Sequence, residues 1–207
     1  MTSKAETQRL SLFPLAGAIL FPRMHLPLHI FEGRYRALVS DAMARDRRIG
    51  MVQPRDAKEP PALYDIGCVG HIIHVQALED GRFNLLLEGV ARFRITGERT
   101  VTTPFRQVDA ILGILPDDDT EPLTPVMRAA LEEESRRFAQ RRGYAIDWDA
   151  VSRLDDEALV NGMAQAVPFD VASKQALVEA PTVTDRASLM IDFMQFTGAG
   201  DDGGTLQ

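Results

Sequence analysis

Residues 12–39 read LFPLAGAILFPRMHLPLHIFEGRYRALV, and the two halves of this stretch follow different rules. Pro14, Pro22 and Pro27 lie in the first half. A proline fixes its own φ and steers the residue before it away from the α region. Phe13, Phe21 and Leu26 are therefore expected in extended backbone. From Tyr35 the period changes. Tyr35, Leu38, Val39, Ala42 and Met43 recur at the spacing of one helix face, the mark of an amphipathic helix. The stretch predicts a kinked, apolar, extended lead-in that delivers a helix over about Gly33–Asp46.

Working outward, residues 1–9 are polar and expected to be mobile. Ser11–Leu15, Ile19–Phe21 and Leu26–Phe31 read as three short extended pieces, with Ala16-Gly17 as a turn. Arg45, Arg47 and Arg48 suit the negative end of the helix dipole and read as a solvated terminus. Ile49–Val52 and the β-branched run Val69–Leu78 predict strands. Glu79-Asp80-Gly81 predicts a hairpin turn, and Phe83, Leu85 and Leu87 then alternate until Gly89, which signals a bulge or bend. Ala91, Phe93 and Ile95 resume the alternation, and Phe105–Leu115 is the last strand-like run. Short strands punctuated by turns point to a small antiparallel barrel or sandwich with one helix inserted.

The acidic, proline-rich stretch 116–125 (PDDDTEPLTP) is the expected linker, and beyond it every periodic segment is helical. Val126, Ala130, Leu131 and Phe138 mark a long helix ending near Gly143, and Trp148 and Val151 anchor a loop or short helix. Asp155 and Asp170 are placed as N-caps, Thr182 or Thr184 as a third, and Pro168, Pro181 and Gly198 as stops. The expected division is thus a β-rich region over 10–115, a linker, a helical bundle over 126–198 and a disordered tail over 199–207.

Composition bounds the function. Hydrophobic content of 45% and charged content of 26% are those of a soluble globular protein. There is no apolar run long enough for a membrane helix and no signal-peptide pattern. Cys68 is the single cysteine, which rules out an internal disulfide and fits a cytoplasmic location. Residues 1–115 carry 15 Lys/Arg against 12 Asp/Glu (+3), whereas residues 116–207 carry 8 against 18 (−10). The acidic half argues against nucleic acid as the main partner, since phosphate binding needs a basic face.

Searches for catalytic signatures return nothing. The chain has no G-x-x-x-x-G-K-[ST], G-x-S-x-G, H-E-x-x-H or G-x-G-x-x-G. Cys68 begins an apolar strand, where a buried, inert thiol is expected. Cys68 and His74 share one strand face while His71 takes the other; His25 and His29 share a face and could add ligands, but nothing else in the sequence supports a site of four convergent ligands. Adjacent Ser173 and Lys174 face apart on a helix, so they form no dyad. No metal, no cofactor and no enzymatic activity are expected.

The opening stretch also carries a resemblance. Leu12–Leu15, Phe21-Pro22, Pro27-Leu28, Ile30-Phe31-Glu32 and Arg34-Tyr35 match in order the start of the Lon substrate-binding domain, the N-terminal domain of the ATP-dependent Lon proteases. Gly67-Cys68-Val69-Gly70 and Leu87–Phe93 resemble its later strands. The resemblance implies an α+β fold: an N-terminal PUA-like β-barrel with one inserted helix, followed by a C-terminal helical bundle. In Lon proteases this domain helps to engage substrate proteins and to assemble the oligomer. No ATPase module and no Ser–Lys peptidase domain follow, so a stand-alone module is expected. It implies a non-catalytic protein- or peptide-binding module serving protein quality control, with unfolded or substrate polypeptide as partner and a protease or chaperone alongside.

Candidate contact residues are Phe21, Met24, His25, Phe31 and Arg34, although the aromatics also suit a core and the arginine an ion pair. The rival reading is RNA binding, supported by Arg45, Arg47, Arg48, Arg55 and Lys58 and opposed by the acidic half. A peptidase-associated hydrolase with an unrecognised site is the remaining class.

Overall fold

The computed structural model describes residues 7–117 and 121–199. The β-rich unit begins with β1 (Thr7–Pro14) and continues through β2 (His25–Ile30), α1 (Gly33–Met43), β3 (Arg48–Val52), β4 (Ile66–Ala77), β5 (Phe83–Glu98) and β6 (Gln107–Leu112). Strand order is β2-β5-β4-β3-β1-β6, and β6 pairs again with β5, which closes the sheet into a barrel. β2 stands outside the closed ring, bonded to the first half of β5.

Leu10, Leu12, Val52, Val69, Phe93, Val108 and Ala110 fill the barrel. A second cluster joins Phe13, Leu20 and Ile30 to Tyr35, Leu38, Val39 and Ala42 on the buried face of α1. The face read from the sequence is therefore the face that is buried. Each such fully buried large apolar side chain contributes about 1.5–3 kcal/mol of transfer free energy.

Several expectations are corrected. Residues 7–9 are not loose: Thr7, Gln8 and Arg9 pair with Ile111, Ala110 and Asp109 of β6. Residues 1–6 and 200–207, where the rest of the mobile start and the disordered tail were expected, lie outside the described residues. Ile19, Leu20 and Phe21 form no strand; they turn inward from a loop and are all buried. α1 stops at Met43 rather than near Asp46, because the chain reverses through Arg47 at φ 58° and its N–H bonds back to Ala42 O. The barrel is not wholly antiparallel. β1 and β3 run parallel, Leu12 opposite Gly50, which requires the long crossover supplied by β2 and α1. The bulge or bend read at Gly89 is, by contrast, present as a bulge. β5 is one strand of 16 residues, and the pairing shifts between Gly70↔Gly89 and Val69↔Ala91 so that Val90 is the bulged extra residue.

The helical unit, which begins after Asp117, contains α2 (Pro125–Arg142), α3 (Trp148–Ser152), α4 (Asp156–Ala166), α5 (Val171–Glu179) and α6 (Val183–Ala199). Its helix starts are the ones read from the sequence. Asp155 and Asp170 accept the backbone N–H groups of Ala158 and Ser173, and Thr182 Oγ1 accepts that of Asp185. Gly143, at φ 70°, closes α2 in the left-handed region. α6 continues through Gly198 to Ala199, one residue past the expected stop. Arg186 is buried and its Nε donates to Leu177 O, satisfying a carbonyl at the end of α5.

Candidate functional site

Pro27 decides what the outer edge of the β-rich unit offers. Gly89 N–H donates to Met24 O at 2.8 Å, which fixes the ladder phase. His25↔Glu88 is a non-hydrogen-bonded pair, Leu26↔Leu87 a hydrogen-bonded one, and the alternation continues to Ile30↔Phe83. The backbone groups of Leu26, Leu28 and Ile30 thus face β5, and those of His25, Pro27 and His29 face away. Pro27, which has no N–H to donate, falls on the side where none is needed. Among the described residues no strand other than β5 pairs with β2.

The side chains alternate in step. Leu26 and Leu28 are half-buried and Ile30 is buried against the core, while His25, Pro27 and His29 are exposed. His29 Nδ1 lies 2.7 Å from Asn84 Oδ1, and its Nε2 lies 3.3 Å from an Arg82 guanidinium nitrogen. Arginine only donates, so Nε2 accepts and Nδ1 carries the hydrogen. The Phe31 ring follows, stacked on His29 at 6.3 Å between centroids and 61% exposed. The edge therefore ends in a large aromatic face left in water.

Gly89 holds this edge in place. Arg23 N–H donates to Gly89 O at 2.8 Å, and Met24 N–H donates to Phe21 O at 3.1 Å. The Phe21–Met24 turn thus docks on the β5 bulge and starts β2 at His25. A Cβ at position 89 would stand 1.9 Å from Phe21 O, so only glycine admits this approach.

The five contact candidates do not form one surface. His25 and Phe31 lie on the β2 edge, whereas Met24 is half-buried and packs against the core cluster beside Leu26 and Leu28. Phe21 is 0% exposed and is a core residue; its proline-flanked loop turns it inward. Arg34 lines another recess. Its Nε meets Glu32 at 2.9 Å, an outer nitrogen meets Glu59 at 2.8 Å, and its guanidinium lies over the Tyr35 ring. That cavity of about 400 Å³ is walled by Pro14, Tyr35, Pro60 and Arg106, and burial raises the Tyr35 phenol above its ordinary value. Pro27 and His29 belong to the edge and were not among the contact candidates; the signal was a proline in an otherwise regular strand.

The Cys68 thiol is buried, and burial pushes its pKa far up, so the sulfur is held as an unreactive thiol. Among the described residues no three His, Cys, Asp or Glu side chains gather as a metal site requires, and no helix is long and apolar enough to cross a membrane.

With this geometry in hand, comparison with known proteins is specific. The model of the ATP-dependent protease La (LON) substrate-binding domain matches residues 9–195. The chain belongs to the LON substrate-binding domain family. Relatives include the Lon protease of Haemophilus influenzae, 26% identical over 201 residues, which cover 92% of this chain and 24% of the relative. Lon protease 2 of Herpetosiphon aurantiacus is 30% identical over 192 residues, 89% of this chain and 23% of the relative. The chain spans about a quarter of the length of these curated relatives.

The crystal structure of a Lon N-terminal domain protein from Xanthomonas campestris superposes with a TM-score of 0.67 at 20% identity, covering 90% of this chain and 99% of that one. The N-terminal domain of Mycobacterium avium complex Lon protease gives 0.67 at 20% identity, covering 91% and 98%. The LON substrate-binding domain fold of barrel strands followed by helices is thus shared. The family model matched is that of the substrate-binding domain.

Proposed function

We propose that this LON-family chain is a non-catalytic module that binds unfolded or substrate polypeptide along the free edge of β2, in an adaptor role beside a protease or chaperone. The observation that carries the reading is the outward ladder of His25, Pro27 and His29, followed by the exposed Phe31 ring. An extended segment laid against such an edge gains backbone hydrogen bonds that ask nothing of its sequence, as a receptor for many unfolded chains requires. Each bond contributes about 0.5–1.5 kcal/mol net. Two histidine N–H donors and three carbonyls are available, so affinity is modest and Phe31 supplies the apolar part. The substrate-binding family of the matched model supports the same reading.

The test is a titration of a fluorescently labelled, permanently unfolded polypeptide with the protein, read as anisotropy. Saturable binding weakened by Phe31→Ser is expected. No anisotropy change at high protein concentration, or wild-type binding by both Phe31→Ser and a variant with a blocked edge, would sink the proposal.

A further inference from the structure

The helical unit contains an apolar recess of about 340 Å³. Phe138 and Met163 form its walls, and Tyr144, Ile146, Trp148 and Leu154 its mouth. Tyr144, Ile146 and Leu154 are 47%, 41% and 42% exposed. Three large apolar side chains left in water around one hollow mark a binding surface more than chance scatter. The volume is at the small end of ligand sites, about 300–1,000 Å³, and has room for one or two bulky side chains.

The charges around the mouth say what kind of segment fits. Residues 144–157 (YAIDWDAVSRLDDE) carry the exposed lining and hold five carboxylates against one arginine. Asp147 and Asp155 accept the backbone N–H groups of Ala150 and Ala158, as helix caps, and make no ion pair among the described residues. Asp156 meets Arg128. Two arginines of α2 also stand close, Arg136 at the mouth 5.1 Å from the Trp148 ring centroid and Arg142 5.7 Å from that of the wall residue Phe138, so that the carboxylates still outnumber the arginines around the recess.

We infer that this recess is a second polypeptide-binding site, selective for segments that combine bulky apolar side chains with lysine or arginine. The apolar side chain fills the hollow, and the cations meet the carboxylates of α3 and the start of α4. The inference concerns a different unit from the β2 edge and stands without it.

Trp148 is the only tryptophan in the chain, so the chain carries its own reporter at the mouth. Two synthetic peptides with the same leucine and phenylalanine pattern, one with lysine and one with glutamate between them, are titrated at low salt. The lysine peptide is expected to shift Trp148 emission saturably and to bind about ten-fold or more tightly than the glutamate peptide. That gap should narrow at about 0.5 M salt.

Leu154→Glu and Ile146→Glu alter exposed positions, so the far-UV circular dichroism should be kept while binding of the dye-labelled lysine peptide is lost. Phe31→Ser should leave it unchanged. Equal affinity for the two peptides, undiminished binding by Leu154→Glu, or loss on Phe31→Ser each overturns the inference. So does a Trp148 shift that depends on protein concentration alone, which would make the occupant a second copy of the chain.

Discussion

Asp117 Oδ1 accepts the Nε–H of Arg92 at 2.6 Å, and its Oδ2 accepts the Arg92 backbone N–H at 3.0 Å. The two side chains are 2% and 9% exposed. Arg23 also donates to the Asp117 carbonyl. The last residue of the β-rich unit is thus fastened to the middle of β5, beside the turn that starts β2. Asp117→Asn keeps the shape but removes the charge that balances a buried guanidinium. Breaking such a pair from one side costs about 3–5 kcal/mol, whereas replacing both partners with apolar residues is often neutral. Faster hydrogen exchange in residues 83–98 and 107–112 is expected for Asp117→Asn, and near-normal protection for Arg92→Met/Asp117→Leu. Equal protection in the wild type and Asp117→Asn would show that the pair is not structural.

Gly89 and Gly97 both lie in β5, yet their substitutions should differ sharply. A Cβ at 89 meets backbone, Phe21 O at 1.9 Å, while one at 97 meets nothing within 4 Å. Backbone cannot step aside as a side-chain tip can. Gly89→Ala should therefore displace the Phe21–Met24 turn and cost more than about 2 kcal/mol, with Gly97→Ala within about 0.5 kcal/mol of the wild type. Thermal unfolding followed by circular dichroism separates the two.

The same positions show what was legible in advance. The face of α1 and the caps Asp155 and Asp170 follow from local spacing and local hydrogen bonds, so the sequence displays them directly. Gly89 was legible as a bulge or bend, but that the extra residue is Val90 is set by the pairing with β4. The parallel pairing of β1 with β3 is likewise a consequence of the crossover, not of either strand. Phe21 and Phe31 sit in one motif, one buried and the other 61% exposed; outside a helix or strand no period says which way a ring turns. The recess around Trp148 arises where α2, α3 and α4 converge, and none of those segments carries it alone.

Lys174 sets a pH dependence. Its side chain is buried, its Nζ donates to Gln165 O at 2.9 Å, and burial lowers its pKa from 10.5. The folded state therefore disfavours the charged form, and the unfolded chain binds the proton more tightly. Between the lowered pKa and 10.5 unfolding takes up a proton, so this group's contribution rises with pH and its full penalty is present below that window. Lys174→Met removes the penalty. Its stability relative to the wild type should be greatest at neutral pH and fall as the pH approaches 10. Urea midpoints read by Trp148 emission at several pH values test this; a pH-independent difference would refute it.

The ladder phase of β2 yields the sharpest separation of fold from binding. Leu28 N–H points to β5 and His29 N–H to the open edge, an assignment fixed by the Gly89-to-Met24 bond. Proline at 28 deletes a bond inside the sheet, whereas proline at 29 deletes only an outward donor and puts its ring where an added strand would lie. Leu28→Pro should lower the melting temperature of the β-rich unit markedly. His29→Pro should leave it nearly unchanged and reduce unfolded-polypeptide binding several-fold, and His29→Ala, which keeps the N–H, should retain most of the binding. The lysine-peptide response at Trp148 should be the same in all variants that fold. If His29→Pro binds unfolded polypeptide as the wild type does, strand addition at β2 is wrong, whatever becomes of the recess in the helical unit.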